Sequence, residues 1–193
     1  MCARYGFSEV QAEEILQIVK AIERGYGDGA WKPGEIHPTD KAPVVISDAG
    51  KRVPQLYTWG YKTVEKPIIN ARSETAESLD IFRSSVEKQR CAVPCTCFYE
   101  WDRTKRKHRF TLPGSDFFYM AAIYTLWDGE LCYCILTTQA NASVGKIHRR
   151  MPIVLSSDSI TPWLESGDAA QKILHSTPPA LAAERVETQM TLW

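Results

Sequence analysis

The first long stretch of the chain places its apolar residues at the spacing of a helix. Ile15, Val19 and Ile22 fall on one helical face. Ser8 is followed three residues later by a glutamine, which has the form of a capping box at a helix start. The pattern stops at Gly25. It therefore predicts an amphipathic helix that follows Ser8 and ends at Gly25.

The next part of the chain changes from polar to β-prone. Residues 25–40 are rich in glycine, proline and polar side chains and predict a loop, whereas the apolar run 44–46 predicts a strand. Residues 55–60 are aromatic and β-prone, and they end at a glycine. The polar segment 70–75 then leads into a second predicted helix. The buried stripe expected for that helix is Leu79, Phe82 and Val86.

From Cys91 onwards the pattern consists of short β-branched and aromatic runs separated by charged turns, which predicts antiparallel strands. Asp128-Gly129 suits a hairpin turn, because both residues tolerate positive φ angles. The clearest strand candidates are residues 109–112, 117–125 and 131–138.

The C-terminal third adds two short predicted helices. They cover residues 161–164, with Pro162 at the first helical position, and residues 169–174. Clustered strands with helices at their margins predict an α+β fold, built on a mostly antiparallel sheet or open β-barrel flanked by short helices. We expect residues 1–193 to form a single domain.

Composition narrows the class of protein. The chain has 193 residues, 44% hydrophobic and 24% charged, which is ordinary globular usage and excludes disordered or collagen-like chains. Its 23 Lys+Arg balance its 23 Asp+Glu, so any affinity for a polyanion must come from local patches. No apolar run is long enough to span a bilayer, and no export signal precedes the first helix. We expect a cytoplasmic, monomeric protein without a membrane partner.

Cys2 is the residue with the most distinctive chemistry. Loss of Met1 would leave an α-amine and a β-thiol on the same residue. An aldehyde could condense with the amine to an imine, which the thiol would capture as a thiazolidine. The same residue could instead act as an N-terminal nucleophile on an acyl group, with its own amine as base. A cysteine at this position can also be accidental.

The other five cysteines resemble a zinc motif only superficially. Cys132 and Cys134 alternate within an apolar strand and would share one sheet face, unlike the tight knuckles of structural zinc sites. Free cysteine packs as a small hydrophobic residue. We therefore expect a buried role and no metal for Cys91, Cys95, Cys97, Cys132 and Cys134.

Glu100 and His148 are candidates for proton transfer. Glu100 lies among aromatic residues, where partial desolvation would raise its pKa towards neutrality. His148 is followed by two arginines, which would tend to keep it neutral. The alternatives are a solvent-facing glutamate at a strand end and a structural histidine.

Basic residues form one dense cluster and several isolated positions. The run 103–109 is the strongest cluster, and it comes immediately after the aromatic segment that contains Glu100. Such residues contact nucleic-acid backbones irrespective of sequence, and aromatic rings stack unpaired bases. Arg4 and Arg72 could hold phosphates through charge-assisted bonds. The alternative for the run is a solvated hairpin loop.

Taken together, these segments resemble the SOS-response-associated peptidase (SRAP) family, whose members process abasic sites in single-stranded DNA. The resemblance spans almost the whole chain. Where the family usually has glycine, this chain has Ala3. The motifs that carry the resemblance are Met1-Cys2-Ala3-Arg4, Pro38-Thr39, Trp59-Gly60, Asn70-Ala71-Arg72-Ser73-Glu74-Thr75, Cys91 to Trp101, and Ile147-His148-Arg149-Arg150-Met151-Pro152.

The resemblance implies an abasic-site sensor of the DNA damage response that needs no cofactor. Cys2 would crosslink to the ring-opened aldehyde of an abasic deoxyribose. Asn70 would orient the sugar, Glu100 would move protons, and His148 would assist as acid or base. The peptidase name would reflect self-processing, the loss of Met1. Contacts to single-stranded DNA are expected from Arg4, Pro38, Thr39, Trp59, Arg72, Trp101, Lys105, Arg106, Lys107, Arg150 and Met151.

Two other functions fit parts of the sequence. A cysteine peptidase or amidase could use Cys2 as its nucleophile without DNA. A non-enzymatic module could bind single-stranded nucleic acid through the basic run, with no need for a lesion.

Overall fold

Strands make up most of the regular structure, with short helices between them. The computed structural model describes residues 2–8 and 11–187. The helices are α1 (Glu13–Tyr26), α2 (Ser73–Ala76), α3 (Asp80–Lys88), α4 (Ile160–Glu165) and α5 (Gly167–Leu174). The strands are β1 (Tyr5–Phe7), β2 (Gly34–Ile36), β3 (Lys41–Asp48), β4 (Lys51–Trp59), β5 (Asn70–Arg72), β6 (Arg90–Cys95), β7 (Cys97–Trp101), β8 (Lys107–Thr111), β9 (Phe118–Trp127), β10 (Glu130–Gln139), β11 (Arg150–Pro152), β12 (Val154–Leu155) and β13 (Ala182–Arg185).

A closed circuit of strands forms the centre of the fold. It runs β10, β4, β3, β6 and β9 and returns to β10. The β4–β10 contact is parallel, through Cys132 opposite Thr58, and the other four are antiparallel. The α+β prediction is confirmed, but the barrel is closed rather than open. The parallel contact that closes it joins distant segments, which residue periodicity does not encode.

Three short strands extend the barrel around β10 and β9. β5 runs parallel to β10 on one side, with Asn70 opposite Ile135. β11 runs antiparallel to the same strand on the other side, with Arg150 opposite Gln139. β12 pairs with β9. The segments around Asn70 and His148 are thereby brought to the same end of β10.

A second sheet carries the N-terminal segment. Its order is β13, β8, β7, β1 and β2, and β1 pairs antiparallel with both β7 and β2. Besides β1, two further strands of this sheet were not predicted. β2 lies inside the predicted loop 25–40, and β13 lies near the C-terminus. Because β1 begins three residues after Cys2, this sheet fixes where that cysteine lies.

The first helix is confirmed, but its start is not where the capping pattern placed it. Helix α1 begins at Glu13 after Ala12, which makes no side-chain capping bond. The acidic residues Glu13 and Glu14 instead complement the positive end of the helix dipole. The helix ends one residue beyond Gly25, before Gly27 at φ 90°. The predicted stripe is buried together with Ile18.

The second predicted helix is broken into two. Helix α2 ends at Ala76, and α3 begins only after Leu79. Leu79 is 46% exposed, so its place in the buried stripe was wrong. Phe82 and Val86 are buried as predicted.

The remaining local predictions hold with one change. The hairpin turn is confirmed, since Asp128 has φ 49° and Gly129 has φ 78°. Both C-terminal helices form, as α4 and α5. Pro162 is the third residue of α4 and not the first, because the helix continues directly from a 3-10 turn at Ser157–Ser159.

Candidate active site and nucleic-acid surface

Cys2 lies in the interior, against the first residue of β5. Its side chain is 0% exposed, and the Asn70 amide Nδ2 donates to the Cys2 carbonyl oxygen at 2.8 Å. The thiol Sγ lies 3.8 Å from the carbonyl oxygen of Arg4. Burial raises the pKa of the Cys2 thiol well above its usual range, and the nearby Glu100 carboxyl raises it further. The thiol is therefore protonated at neutral pH.

Glu100 lies in β7 and is 4% exposed. Burial raises the pKa of its carboxyl above the ordinary 4.5, and the neighbouring His148 opposes part of that effect. The predicted desolvation of this residue is confirmed, and the solvent-facing alternative is wrong. A carboxyl whose pKa is raised in this way takes up a proton at a higher pH than an exposed carboxyl does.

His148 lies beside Glu100, just before β11. Its Nδ1 is 3.5 Å from Glu100 Oε1. The same nitrogen accepts from the Arg150 backbone N–H at 3.2 Å and lies 3.0 Å from the Arg150 carbonyl oxygen. Without a proton, Nδ1 can accept the Arg150 backbone N–H. With a proton, it can donate to the Arg150 carbonyl oxygen or to the Glu100 carboxylate. That arrangement suits a group that exchanges a proton with a neighbouring carboxyl.

Asn70 has spare hydrogen-bonding capacity at this point. Its Nδ2 is used on Cys2, whereas its Oδ1 is buried with no hydrogen-bond partner among the described residues. Buried polar atoms almost always have a hydrogen-bond partner, so a buried acceptor without one beside Cys2 points to a bound group as its partner. It leaves Asn70 able to accept one hydrogen bond from a bound group.

Three buried aromatic residues support the N-terminal strand. Tyr5 packs edge-on to Trp59 with ring centres 5.1 Å apart, and Trp59 stacks on Tyr133 at 6.4 Å. The two tyrosine hydroxyls share a hydrogen bond of 2.7 Å. Trp59 is 0% exposed and donates its indole N–H to the Ile69 carbonyl. The expected DNA contact from Trp59 is therefore corrected to a packing role.

Met151 needs the same correction. It is 0% exposed, and its sulfur lies 3.4 Å from the backbone nitrogen of Asn141. A fully buried apolar side chain presents no surface to a nucleic acid. Its burial instead anchors β11, the strand that follows His148.

The two dipeptides Pro38-Thr39 and Trp59-Gly60 lie side by side. Thr39 has φ 76°, and its N–H donates to the Trp59 carbonyl at 2.8 Å. Gly60 has φ 101°, and a Cβ there would approach Ile69 to 2.8 Å. A threonine held at positive φ is strained, and such strain is concentrated at functional sites. Pro38 and Thr39 lie at least partly on the surface, as a DNA contact requires.

Each of two candidate phosphate-binding arginines is held by a carboxylate. Arg4 Nη1 lies 3.0 Å from Glu35 Oε1, and its guanidinium lies over the ring of Trp101 at 5.5 Å. Arg150 donates to both oxygens of Glu74, at 2.6 and 2.9 Å. Arg72 is exposed. Glu35 and Glu74 had no assigned role in the sequence, although Glu74 stands in the motif that begins at Asn70.

The basic run is an ordered turn built around Asp102. The Asp102 carboxylate accepts from the backbone and the guanidinium of Arg106, at 3.1 and 2.8 Å. Lys107 donates to Glu35 at 2.7 Å and lies 3.9 Å from the ring centre of Tyr99. Lys105 is exposed at φ 62°. Part of the positive charge of the run is thus already neutralised.

The cysteine prediction is confirmed as far as packing goes. All six cysteines are free and buried. Within residues 2–8 and 11–187, no three His, Cys, Asp or Glu residues are placed to hold a metal ion. Over the same residues, no helix is long and apolar enough to cross a membrane.

The fold and site together define an α+β protein that buries its second residue, a cysteine, beside an asparagine and a carboxyl–imidazole pair. A family model described as SOS response associated peptidase (SRAP) matches residues 1–192. The chain belongs to this family.

The chain is also similar to individual proteins and to solved structures. The chain is 28% identical to abasic site processing protein YoqW of Bacillus subtilis, over 97% of this chain and 90% of that protein. It is also 28% identical to abasic site processing protein YoaM of the same organism, over 91% of this chain and 84% of that protein. A solved structure of a Bacteroides thetaiotaomicron protein superposes with a TM-score of 0.79 at 21% identity, covering 96% and 92% of the two chains. That likeness concerns the fold alone.

Proposed function

We propose that this protein captures abasic sites in single-stranded DNA by forming a covalent bond through Cys2 after loss of Met1. The observation that carries the proposal is the Asn70 amide on the Cys2 carbonyl, next to the Glu100–His148 pair. An aldehyde-capturing aminothiol needs an orienting group and a proton acceptor, and both are present. The names of the Bacillus relatives support an abasic site as the target.

The proposed reaction balances without a cofactor. The Cys2 amine adds to the C1 aldehyde of the ring-opened deoxyribose and expels water, which gives an imine. The thiol then adds across the carbon–nitrogen double bond. A carbon–sulfur bond forms, and the thiol proton leaves sulfur as nitrogen gains one. The product is a thiazolidine that joins protein and DNA.

The neighbouring residues have separate roles in this scheme. Asn70 fixes the Cys2 backbone and offers its free Oδ1 to the amine or the sugar hydroxyl. Glu100 accepts the proton of the Cys2 thiol, which the thiol would otherwise keep because its pKa is raised. His148 exchanges protons with Glu100 and thereby with the sugar during ring opening.

The high pKa of the thiol also bears on the peptidase hypothesis. Attack on a peptide carbonyl needs a thiolate, and burial opposes its formation at Cys2. Aldehyde capture begins instead with the amine, so it does not require a free thiolate. We therefore propose that aldehyde capture, and not general proteolysis, is the function of Cys2.

DNA is proposed to contact the Pro38-Thr39 turn, Arg4 and Arg72. Trp101 offers a partly exposed ring on which an unpaired base can stack, which favours single strands over duplex. We propose that one copy of the chain, folded as a single domain, suffices for this contact.

The test is intact-mass analysis after incubation with a single-stranded oligonucleotide that contains one abasic site. We expect a chain without Met1 that gains the oligonucleotide mass less one water. Cys2→Ala should form no adduct, whereas Cys132→Ala, a matched change of another buried cysteine, should react like the parent protein. A denaturation-resistant adduct with Cys2→Ala would overturn the proposal.

The other two functions give different results in the same preparation. Peptide cleavage that depends on Cys2 and is indifferent to DNA would favour the peptidase. Binding that is sensitive to salt and equal for intact and abasic oligonucleotides, without an adduct, would favour a simple binding module.

A further inference from the structure

The Glu74–Arg150 ion pair crosses a strand of the barrel. Glu74 lies in α2, directly after β5, and Arg150 begins β11. Both guanidinium Nη atoms donate to the carboxylate, at 2.6 and 2.9 Å. The Arg150 side chain is only 14% exposed. A two-point bond of this kind fixes the direction of both side chains as well as their distance.

The strand beneath this pair takes part in it. Arg150 Nη2 also donates to the Thr137 carbonyl at 2.6 Å and lies 3.2 Å from the Thr137 hydroxyl. In the register of the sheet, Thr137 of β10 stands opposite Arg72 on one side and Pro152 on the other. The ion pair therefore ties together the two short strands that flank β10.

These two strands place different parts of the candidate site. β5 begins with Asn70, whose amide bonds the Cys2 carbonyl. Arg150 is also the residue whose backbone N–H and carbonyl both contact His148 Nδ1. A shift of Arg150 would consequently move the His148 ring relative to Glu100.

We propose that Glu74 is a positioning residue, which acts through Arg150 to hold His148 against Glu100. The proposal rests on the function proposed above. It concerns the rate of the covalent step and not the affinity for DNA. The competing interpretation is that Glu74 merely occupies Arg150 in place of a phosphate, in which case its removal would strengthen DNA binding.

The experiment compares Glu74→Gln with a matched control, Glu77→Gln. Glu77 lies in the same segment and pairs with His175 at 3.2 Å, outside the site. We expect Glu74→Gln to form the abasic-site adduct about tenfold more slowly, because small misplacements of a reacting group are costly. Its affinity for an intact single-stranded oligonucleotide should stay unchanged. Glu74→Asp, which keeps a carboxylate, should recover part of the rate.

A second readout does not depend on the adduct. The nitrogen chemical shifts of the His148 imidazole report its tautomer and hydrogen bonding, so at one fixed pH they should differ between Glu74→Gln and the parent protein. Glu77→Gln should give the parent's shifts at His148.

The outcomes separate the two proposals. Tighter DNA binding by Glu74→Gln at an unchanged maximal rate would overturn the positioning role and favour phosphate competition. Parent-like adduct rates and His148 shifts would also overturn it, while leaving the Cys2 chemistry intact. If the parent protein forms no adduct, the proposed function fails, and unaltered His148 shifts would then refute the positioning role separately.

Discussion

The buried bond between Tyr5 and Tyr133 gives a quantitative test of how the barrel holds the N-terminal strand. Both residues are 0% exposed, and their hydroxyl oxygens are 2.7 Å apart. Burial raises the pKa of both hydroxyls well above the usual range, so both stay protonated at neutral pH. Tyr133→Phe removes one hydroxyl and leaves the other inside an apolar, aromatic environment.

The expected magnitude follows from that environment. A buried hydroxyl without a partner costs about 1–3 kcal/mol, whereas removal of both partners can be nearly neutral. Each single change, Tyr5→Phe or Tyr133→Phe, should therefore lower the free energy of unfolding by about 2 kcal/mol. The double variant should lose much less than the sum of the two changes.

Urea unfolding followed by tryptophan fluorescence measures this directly. A loss of about 2 kcal/mol lowers the midpoint by about 1 M when the urea dependence is about 2 kcal/mol per M. Tyr57→Phe provides a control, because it removes a tyrosine hydroxyl outside the Tyr5–Tyr133 pair. Tyr57 packs beside Tyr124 with ring centres 5.2 Å apart, in another part of the barrel. Strictly additive losses in the double variant would refute the reasoning. Since Tyr5 continues the segment that starts at Cys2, Tyr133→Phe should also slow adduct formation.

Three further changes test the site and its surroundings. Glu100→Gln should slow adduct formation about 100-fold with unchanged DNA affinity, because it removes a proton acceptor. The rate is measured on quenched gels and the affinity by fluorescence anisotropy. Equal losses of rate and of affinity would contradict this role. Hydrogen bonds from Lys62 and, to a smaller extent, from Thr58 lower the pKa of the Glu130 carboxyl to about 2. Glu130 therefore contributes to the free energy of unfolding above its ordinary pKa of 4.5, and this contribution is lost as the pH falls towards 2. Because the Glu130 side chain is 30% exposed, Glu130→Gln should cost about 1 kcal/mol at pH 7, and thermal melts should show no difference near pH 2. Glu35→Gln should release Arg4 and tighten binding to intact single strands with a steeper salt dependence, whereas unchanged titrations would show that the pair is neutral for binding.

Local features of this fold could be predicted from the sequence where short-range patterns decide them. The stripe of α1 and the turn at Asp128-Gly129 follow directly from residue spacing and φ preferences. The prediction that Leu79 is buried was wrong because the helix is broken and Leu79 lies just before α3. Periodicity alone does not locate such a break. The closed barrel could not be predicted, since the parallel contact of β4 with β10 depends on chain segments far apart in sequence.

The site shows the same division. Cys2 and Glu100 could be selected because their chemistry is visible in the residue type and its immediate neighbours. The burial of Trp59 could not be predicted, because the local sequence does not determine whether an aromatic residue at a strand end packs into the core or faces solvent. Glu35 and Glu74 were not predicted as site residues, because acidic side chains are not expected on a surface that binds DNA. Their role becomes visible only when their arginine partners, Arg4 and Arg150, are known.

Burial of Cys2 next to Glu100 also determines the order of the proposed steps. A Cys2 thiolate and a Glu100 carboxylate would be two negative charges in one desolvated site, and each raises the cost of forming the other. The site therefore accommodates one negative charge, on the carboxylate, while the thiol keeps its proton. An imine formed first supplies an electrophilic carbon, and once its nitrogen is protonated it adds a positive charge. At that point the thiol can pass its proton to Glu100 as its sulfur bonds to carbon, so negative charge never accumulates. Thiol addition before imine formation would lack that compensation, and for this reason the amine must react first.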